Sequence, residues 1–200
     1  MKRILVFALA VLLVPSMAQA QTLDFEDAQL GFLPNGYGGF NWSNFVAYNT
    51  ADLFNGGYDT GAVSGDQAIY NAFGNSASVL GVGTSNPFSL SSAWVTAAWN
   101  EGMQLQVRGF LNGTVQYTQA FDVFYDQAVQ LAFNTALVDQ VEFSAVGGTD
   151  ASQTDSGSGT QMAFDDMAFN VVEVPEPGLI ILLSSGLLGL GIARRRNDVA

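Results

Sequence analysis

The fold class is decided by Met103-Gln104-Leu105-Gln106-Val107-Arg108 and Val115-Gln116-Tyr117-Thr118, two alternating runs that flank Asn112-Gly113. Alternation of apolar and polar residues with a period of two is the pattern of a half-buried strand. Asn-Gly is the strongest short hairpin signal, because both central residues of a type I′ turn need a positive φ. The segment therefore predicts an antiparallel β-hairpin.

Short runs of the same kind fill the chain from residue 21 to residue 172, and Gly and Asn separate them. Helical periodicity of useful length is absent from this part of the sequence. Many short strands over about 150 residues predict an all-β fold, a single β-sandwich of the jelly-roll type. Further strands are predicted at Phe40–Tyr48, Ala68–Phe73, Val79–Val82, Trp94–Trp99, Val129–Phe133, Val138–Phe143 and Met162–Val171, with a long loop at Gly147–Gln161.

The charge of this predicted domain is strongly negative. Arg108 is its only cation, whereas 15 of the 18 acidic residues of the chain fall between Gln21 and Val172. Such a surface repels nucleic acid and anionic lipid, whose binding depends on Lys and Arg. It favours neutral glycans, cationic partners or divalent metal ions. The alternative is that the acidity only keeps an exported domain soluble.

Two missing residue types limit the chemistry. The sequence has no cysteine and no histidine, which excludes disulfides, thiolate nucleophiles, Ser-His-Asp catalysis and His-ligated zinc. Carboxylate chemistry remains, so the enzymatic alternative is a two-acid glycoside hydrolase or lyase. Its candidate carboxylates are Glu26, Glu101 and Asp66, but no spacing marks a pair. A non-catalytic protein is therefore the leading interpretation.

Residues 1–20 have the three parts of a secretory signal peptide. Lys2 and Arg3 form the charged start, Ile4–Val14 is apolar, and Ala18-Gln19-Ala20 is a small-x-small cleavage site. The mature chain is expected to begin at Gln21. An N-terminal membrane anchor is the alternative, and the short apolar stretch argues against it.

Residues 173–200 contain Val174-Pro175-Glu176-Pro177-Gly178, an apolar run from Leu179 to Ala193, and Arg194-Arg195-Arg196. This order resembles the PEP-CTERM sorting signal of bacteria that export surface polymers with an exosortase-linked system. The apolar run is short for a spanning helix, and the arginines should stay cytoplasmic by the positive-inside rule. A permanent C-terminal anchor is the alternative interpretation.

The PEP-CTERM resemblance implies a cellular location. It implies an exosortase-type processing protease as a partner, with cleavage near Pro175-Glu176-Pro177. It also implies transient association with the inner membrane, followed by release to the cell surface or extracellular matrix. Similar tails occur on some ice-binding proteins, but the body of this chain lacks the repeated Thr-rich faces of a solenoid ice binder.

A calcium site is predicted from strand parity. Asp165 shares a face with Met167 and Phe169 by period-two counting, and a buried carboxylate is costly unless it is paired or metal-bound. Calcium takes oxygen ligands and is the expected partner. The alternative is a bulge between Asp165 and Asp166 that resets the parity and turns both carboxylates to water.

The same region carries a second resemblance. Leu23-Asp24-Phe25-Glu26-Asp27 and Asp165-Asp166 resemble the first and last strands of galactose-binding-like, carbohydrate-binding jelly rolls, which hold a structural calcium between them. The resemblance implies calcium ligands at Glu26 and Asp165. Asp24, Asp27 and Asp166 are weaker candidates.

Aromatic residues among Gly and Asn in Gly31–Phe45 suggest a sugar-binding loop. This stretch resembles an opening found in other exported proteins with the same sorting tail. Rigid aromatic area with a few amides is typical of binding sites, and extracellular polysaccharide is the expected partner. The alternative places Phe40 and Trp42 in the core. The candidate sugar-binding residues are Tyr37, Trp42, Asn35, Asn41 and Tyr58.

Overall fold

The computed structural model of the protein describes residues 18–53, 56–151 and 157–172. The predicted sorting tail at residues 173–200, with its Pro-Glu-Pro and Arg-Arg-Arg segments, lies outside the described residues, as does the predicted signal peptide up to residue 17. No helix within the described ranges is long and apolar enough to cross a membrane.

The described residues form twelve strands and one short α-helix, besides three short 3-10 helices at Tyr37–Gly39, Ala72–Gly74 and Gly83–Ser85. The strands and the α-helix are β1 (Ala18–Leu23), β2 (Gly31–Phe32), β3 (Phe40–Ser43), β4 (Phe45–Asn49), α1 (Gly57–Gly61), β5 (Gln67–Asn71), β6 (Ala77–Gly81), β7 (Phe88–Ala97), β8 (Asn100–Leu111), β9 (Thr114–Val123), β10 (Val129–Ala132), β11 (Gln140–Asp150) and β12 (Met162–Val172).

These strands form two antiparallel sheets. The seven-stranded sheet has the order β10-β7-β12-β5-β4-β2, and β1 also pairs with β12; the five-stranded sheet has the order β3-β6-β11-β8-β9. The all-β sandwich is therefore confirmed. The hairpin is also confirmed, because β8 pairs with β9 across Asn112 (φ 51°) and Gly113 (φ 73°), the positive φ pair that a type I′ turn needs.

One predicted strand is two strands in the structure. Phe40–Tyr48 is interrupted at Asn44, which has a φ of 60°, so that β3 joins the five-stranded sheet and β4 the seven-stranded sheet. The Asn44 side-chain amide donates to the carbonyls of Ala72 (3.0 Å) and Ser76 (3.1 Å). Asn tolerates the left-handed region better than most residues, so it turns the corner between the sheets.

The predicted loop at Gly147–Gln161 is also shorter than expected. β11 continues through Asp150, which pairs with Asn100 of β8. Composition rich in Gly, Ser and Thr suggested a loop, but the ladder with β8 keeps the first part of this stretch in the sheet.

Aromatic rings fill the core between the sheets. Trp42 packs edge-on against Phe45, with ring centroids 5.5 Å apart, and against Phe25 at 5.9 Å. Phe40 lies against Phe169 with a centroid distance of 4.3 Å. Phe40 and Trp42 are buried, as the core interpretation of these residues predicted. Seven phenylalanines are among the largest fully buried side chains: Phe25, Phe40, Phe45, Phe88, Phe143, Phe164 and Phe169.

A second, smaller cluster lies away from this core. It joins Tyr48, Tyr58, Ala68, Ala98 and Ala163, with Tyr70 and Trp99 packed against it. The hydroxyl of Tyr48 donates to the carbonyl of Tyr58 at 2.7 Å, and α1 contacts both β7 and β12. The segment that carries α1 therefore covers the outer side of the seven-stranded sheet.

Candidate functional site

The outer side of the five-stranded sheet is open and polar. Along β8 and β11, Leu105, Val107 and Val141 face the core, so the residues between them point outward. We call this surface the open sheet face. Its side chains, aligned by the strand register, are Asn41, Ser43, Ser78, Leu80, Gln104, Gln106, Arg108, Phe110, Val115, Thr118, Ala120, Asp122, Gln140, Glu142, Ser144 and Val146. Most are polar, and Leu80, Val115 and Val146 are exposed apolar side chains.

The only cation of the domain sits on this face. The guanidinium of Arg108 pairs with the carboxylate of Glu142 on the neighbouring strand, and both side chains keep contact with solvent. The same guanidinium lies 5.6 Å from the centroid of the Phe110 ring, within cation–π distance. Asp122 is the one other charged residue here, so a nearly neutral surface lies within a strongly acidic domain.

Four side-chain amides lie on the same face as this charged pair. Gln104 and Gln106 lie on β8, Gln140 on β11 and Asn41 on β3, and within the described residues none of these four amides bonds to another protein group. Each amide offers two donors and an acceptor oxygen. The arrangement presents hydrogen-bonding groups beside one aromatic ring, which is the chemistry that recognises hydroxyl-rich ligands.

The structure separates the predicted sugar-binding residues. Trp42 and Tyr58 are buried, so their rings have no free face for a sugar, and both belong to the packing of the domain. Tyr37 is half-buried and stacks against Phe25. Asn35 is exposed in a loop, and Asn41 is the one member of the predicted set that lies on the open sheet face.

Tyr37 is held in place by an acid. Its hydroxyl donates to the Asp27 carboxylate at 2.7 Å. Burial, together with the hydrogen bond and the charge of Asp27, raises the pKa of the Tyr37 hydroxyl well above its ordinary value. This contact uses the hydroxyl within the protein and accounts for Asp27, which was a weak metal candidate.

Asp165 is fully buried, but on the opposite side from the one predicted. Met162 and Phe164 face the inter-sheet core before Asp165, and Met167 and Phe169 face it afterwards. Asp166 has a φ of 45°, and the register with β7 shifts between Asp165 and Ala168. The bulge therefore resets the parity, as the alternative held, but it leaves Asp165 buried beneath the loop after α1.

Backbone amides meet the buried carboxylate. One Asp165 oxygen accepts from the N–H groups of Val63 (2.8 Å) and Ser64 (2.9 Å). The other oxygen accepts from the N–H of Asp166 at 2.7 Å. Asp166 itself accepts from the Ser64 hydroxyl at 3.0 Å. The partner that the buried charge requires is supplied by the loop.

Glu26 accepts hydrogen bonds from the next residues of the same loop. Its carboxylate accepts from the N–H groups of Asp66 (3.0 Å) and Gln67 (2.7 Å), while the Asp24 carboxylate accepts from the N–H of Glu26. Residues 63–67 thus donate four backbone amides to the two carboxylates that were predicted to bind calcium.

This donor set does not fit calcium as it stands. Calcium needs several oxygen atoms directed at one point, whereas N–H groups are directed at the carboxylates of Glu26 and Asp165. Among the described residues, no three acidic side chains come together. Calcium binding remains a prediction, and the stability measurement described in the Discussion tests it.

Two of the carboxylates considered for catalysis accept hydrogen bonds from backbone N–H groups. Glu26 binds the loop amides, and Glu101 accepts from the N–H of Tyr125 at 3.1 Å. Asp165 has a raised pKa, as a glycosidase general acid needs, but it is fully buried. It cannot reach a polysaccharide in this fold.

Comparisons with family models and with curated proteins find no match. Comparison with solved structures finds similar sandwiches. The K2 cleaved adhesin domain of Lys-gingipain has a TM-score of 0.49 and 11% identity, over 75% of this chain and 97% of that one. A DUF4465 family protein from Bacteroides ovatus has a TM-score of 0.48 and 8% identity, over 76% and 88%.

Carbohydrate-binding modules are also among these structures. A family 29 module has a TM-score of 0.42 and 12% identity, over 77% of this chain and 92% of that one. At such identities and TM-scores, the likeness carries no functional argument for this chain.

Titration of Asp165 gives the domain a specific pH dependence. Burial raises the pKa of Asp165 from 3.8 to about 6, although the amides of Ser64, Asp166 and Val63 act to lower it. The folded state therefore binds this proton more tightly than the unfolded chain, and the resulting stability is complete below about pH 4 and lost as the pH rises through about 6.

We expect the stability of the wild type relative to Asp165→Asn to increase by up to about 3 kcal/mol as the pH falls from 7 to 4. Urea unfolding of both proteins in calcium-free buffer measures this difference. Titration of the other carboxylates affects both proteins equally and cancels in the difference. A difference that stays constant with pH would show that Asp165 does not titrate in this range.

The open sheet face was only partly visible in the sequence. Gln104, Gln106 and Arg108 are the polar half of the alternation that predicts β8. Gln140 and Asn41 come from distant strands, and only the register of β3, β6 and β11 brings them to the same face. No local pattern marks them as neighbours.

Proposed function

We propose that this protein is a non-catalytic glycan-binding β-sandwich, exported to the cell surface or extracellular matrix, and that the open sheet face contacts the glycan. The observation that carries the proposal is the set of free amides around Arg108 and Phe110. They lie on a face with few charged side chains, in a domain with 15 acidic residues. Neutral sugars suit such a surface, since an anionic polymer would be repelled by the rest of the domain.

The chemistry of the face matches hydroxyl-rich ligands. The amides of Gln104, Gln106 and Gln140 can donate to and accept from sugar hydroxyls, and Phe110 adds a small apolar area. Binding sites combine such aromatic area with a few placed polar groups. Export and processing are proposed on the basis of the two predicted targeting segments.

The ends of the described domain agree with this delivery. Ala18 of β1 lies directly opposite Val172 of β12, so the chain enters and leaves the sandwich on adjacent strands. Cleavage after Ala20 would leave Gln21, Thr22 and Leu23 paired with β12. Such cleavage would remove the pairs of Ala18, Gln19 and Ala20 with β12 and leave the other strands of both sheets intact.

Retention on insoluble polysaccharides tests the proposed function. Residues 18–172 are incubated with cellulose, with chitin and with the extracellular polymer of the producing bacterium. We expect saturable retention on at least one of them, weakened roughly tenfold by the double variant Arg108→Ala, Gln106→Ala. Both side chains are at the surface, so the variant should fold with a stability change within about 0.5 kcal/mol.

Gln130→Ala is the matched control for this measurement. Gln130 is an exposed amide on β10 of the other sheet, so its loss should leave retention unchanged. Equal retention of the double variant and the wild type would remove the open sheet face as the binding surface. Absence of retention on every polymer would remove the glycan function itself.

A further inference from the structure

The loop between β5 and β6 displays an aromatic ring to solvent. Phe73 is 79% exposed, more than any other large apolar side chain of the described residues. Its φ is 58°, in the left-handed region that bulky residues rarely adopt. Such a conformation costs on the order of 1 kcal/mol or more. Packing does not offset this cost, because the ring is exposed to water.

Hydrogen bonds from three directions fix this loop. The Asn44 amide donates to the carbonyls of Ala72 and Ser76. The Asn71 amide donates to the carbonyl of Asn75 at 2.9 Å. The Thr160 hydroxyl donates to the carbonyl of Gly74 at 3.0 Å. The backbone that carries Phe73 is therefore held in one conformation, and the ring is presented without needing to be ordered by a ligand.

The loop lies beside the start of β12. The carbonyl oxygen of the Asn71 side chain accepts from the N–H of Met162, which is the first residue of β12. The chain leaves the sandwich at Val172, the other end of this 11-residue strand, about 30 Å away at the usual rise per residue. The loop therefore lies near the opposite end of β12 from Val172.

The segment of sequence that carries the ring is uncharged. No Asp, Glu, Lys or Arg occurs from Gln67 to Asn100, a long interval in so acidic a chain. Asn75 and Ser76 are exposed beside Phe73 and provide an amide and a hydroxyl. An apolar ring next to neutral hydrogen-bonding groups suits a neutral, hydroxyl-rich ligand.

We propose that the loop Ala72–Ser76 is a second glycan-contact site, in which the Phe73 ring stacks on the apolar face of a neutral sugar ring. Asn75 and Ser76 bind the hydroxyls of that sugar. The inference rests on the proposed glycan function and adds a site that is separate from the open sheet face. Because the loop already holds Phe73 in one conformation, less conformational entropy is lost when a sugar binds. This would offset the cost of the left-handed backbone at Phe73.

The test compares Phe73→Asn with the wild type in the full chain, purified in detergent. The probe is the polymer that retains the wild type best among cellulose, chitin and the producer's extracellular polymer. Asn tolerates the left-handed region, so we expect retention to fall roughly tenfold while the thermal midpoint stays equal or rises. Phe73→Trp should keep retention, because it keeps an aromatic face.

Phe32→Ala is the matched control, since it removes another exposed phenylalanine, on β2. Unchanged retention of Phe73→Asn, with retention lost in Arg108→Ala, Gln106→Ala, would overturn the second site and leave the proposed function standing. Absence of retention for the wild type would defeat the proposed function and the second site together. A concentration-dependent dimer that Phe73→Asn abolishes, with retention intact, would make the loop a protein contact and overturn the inference.

Discussion

Asp165→Ala is expected to lower the free energy of unfolding by about 3 kcal/mol. The substitution removes the acceptor for the amides of Val63, Ser64 and Asp166. A fully buried donor without a partner costs about 1–3 kcal/mol. These three amides are partly buried, and the removal of a buried charge offsets part of the loss. Urea unfolding of residues 18–172 at pH 7 measures the change.

Asp66→Ala is the control, because it removes the same charge from an exposed position of the loop that Asp165 holds. Its stability should stay within about 0.5 kcal/mol of the wild type. Equal unfolding midpoints for the two variants would show that the carboxylate does not secure the loop.

The same unfolding curves decide the calcium prediction. Each protein is measured in chelator and in millimolar calcium. A calcium-dependent gain in the wild type that Asp165→Ala lacks would support a bound ion, since a ligand of the folded state raises its stability. Midpoints that coincide in both buffers would exclude a structural calcium at Glu26 and Asp165.

Trp42→Ala is expected to destabilise the domain by about 3–5 kcal/mol. Its ring packs against Phe25, Phe40 and Phe45, and its indole N–H donates to the carbonyl of Tyr37 at 2.9 Å. The substitution leaves a cavity in the inter-sheet core and leaves the Tyr37 carbonyl without its hydrogen-bond donor. Thermal or urea unfolding monitored by far-UV circular dichroism measures the loss.

Phe32→Ala again serves as the control, because the Phe32 ring is 64% exposed and its loss should cost little. This pair of variants separates folding from binding. Loss of glycan retention in Trp42→Ala would report a lost fold, and a fully stable Trp42→Ala protein would contradict the assignment of this ring to the core.

The sandwich and its central hairpin could be predicted from the sequence because their signals are local. Alternation over Met103–Arg108 and the Asn112-Gly113 turn depend only on neighbouring residues. The core role of Phe40 and Trp42 follows from the need of such a domain for large apolar side chains. These features do not require knowledge of which strands pair.

The environment of Asp165 could not be predicted in the same way. Its partners Val63 and Ser64 are about one hundred positions away in sequence, and a backbone N–H leaves no sequence signal. The positive φ of Asp166 changes which face the following residues occupy, and period-two counting assumes a regular strand. The sequence indicates that a buried Asp165 needs a partner. It does not indicate that backbone amides, not calcium, lie against the carboxylate.

The open sheet face lies between these cases. The sequence showed which residues of β8 face outward once one face was assigned to the core. It did not show that Asn41 and Gln140 align with them, because the pairing of β3 with β6 and of β6 with β11 joins segments that are far apart. Phe73 was expected within a strand, and its exposure follows from the turn that Asn44 and Thr160 hold.

The most direct test of the glycan-binding proposal is a titration followed by amide chemical shifts. Residues 18–172, labelled with ¹⁵N, are titrated with soluble oligosaccharides prepared from the polymer that retains the protein. The proposal predicts saturable shifts on β8 and β11, centred on Gln106, Arg108 and Gln140, with Gln130 on β10 unaffected. Saturable shifts confined to the seven-stranded sheet, or no shifts with any oligosaccharide, would contradict it.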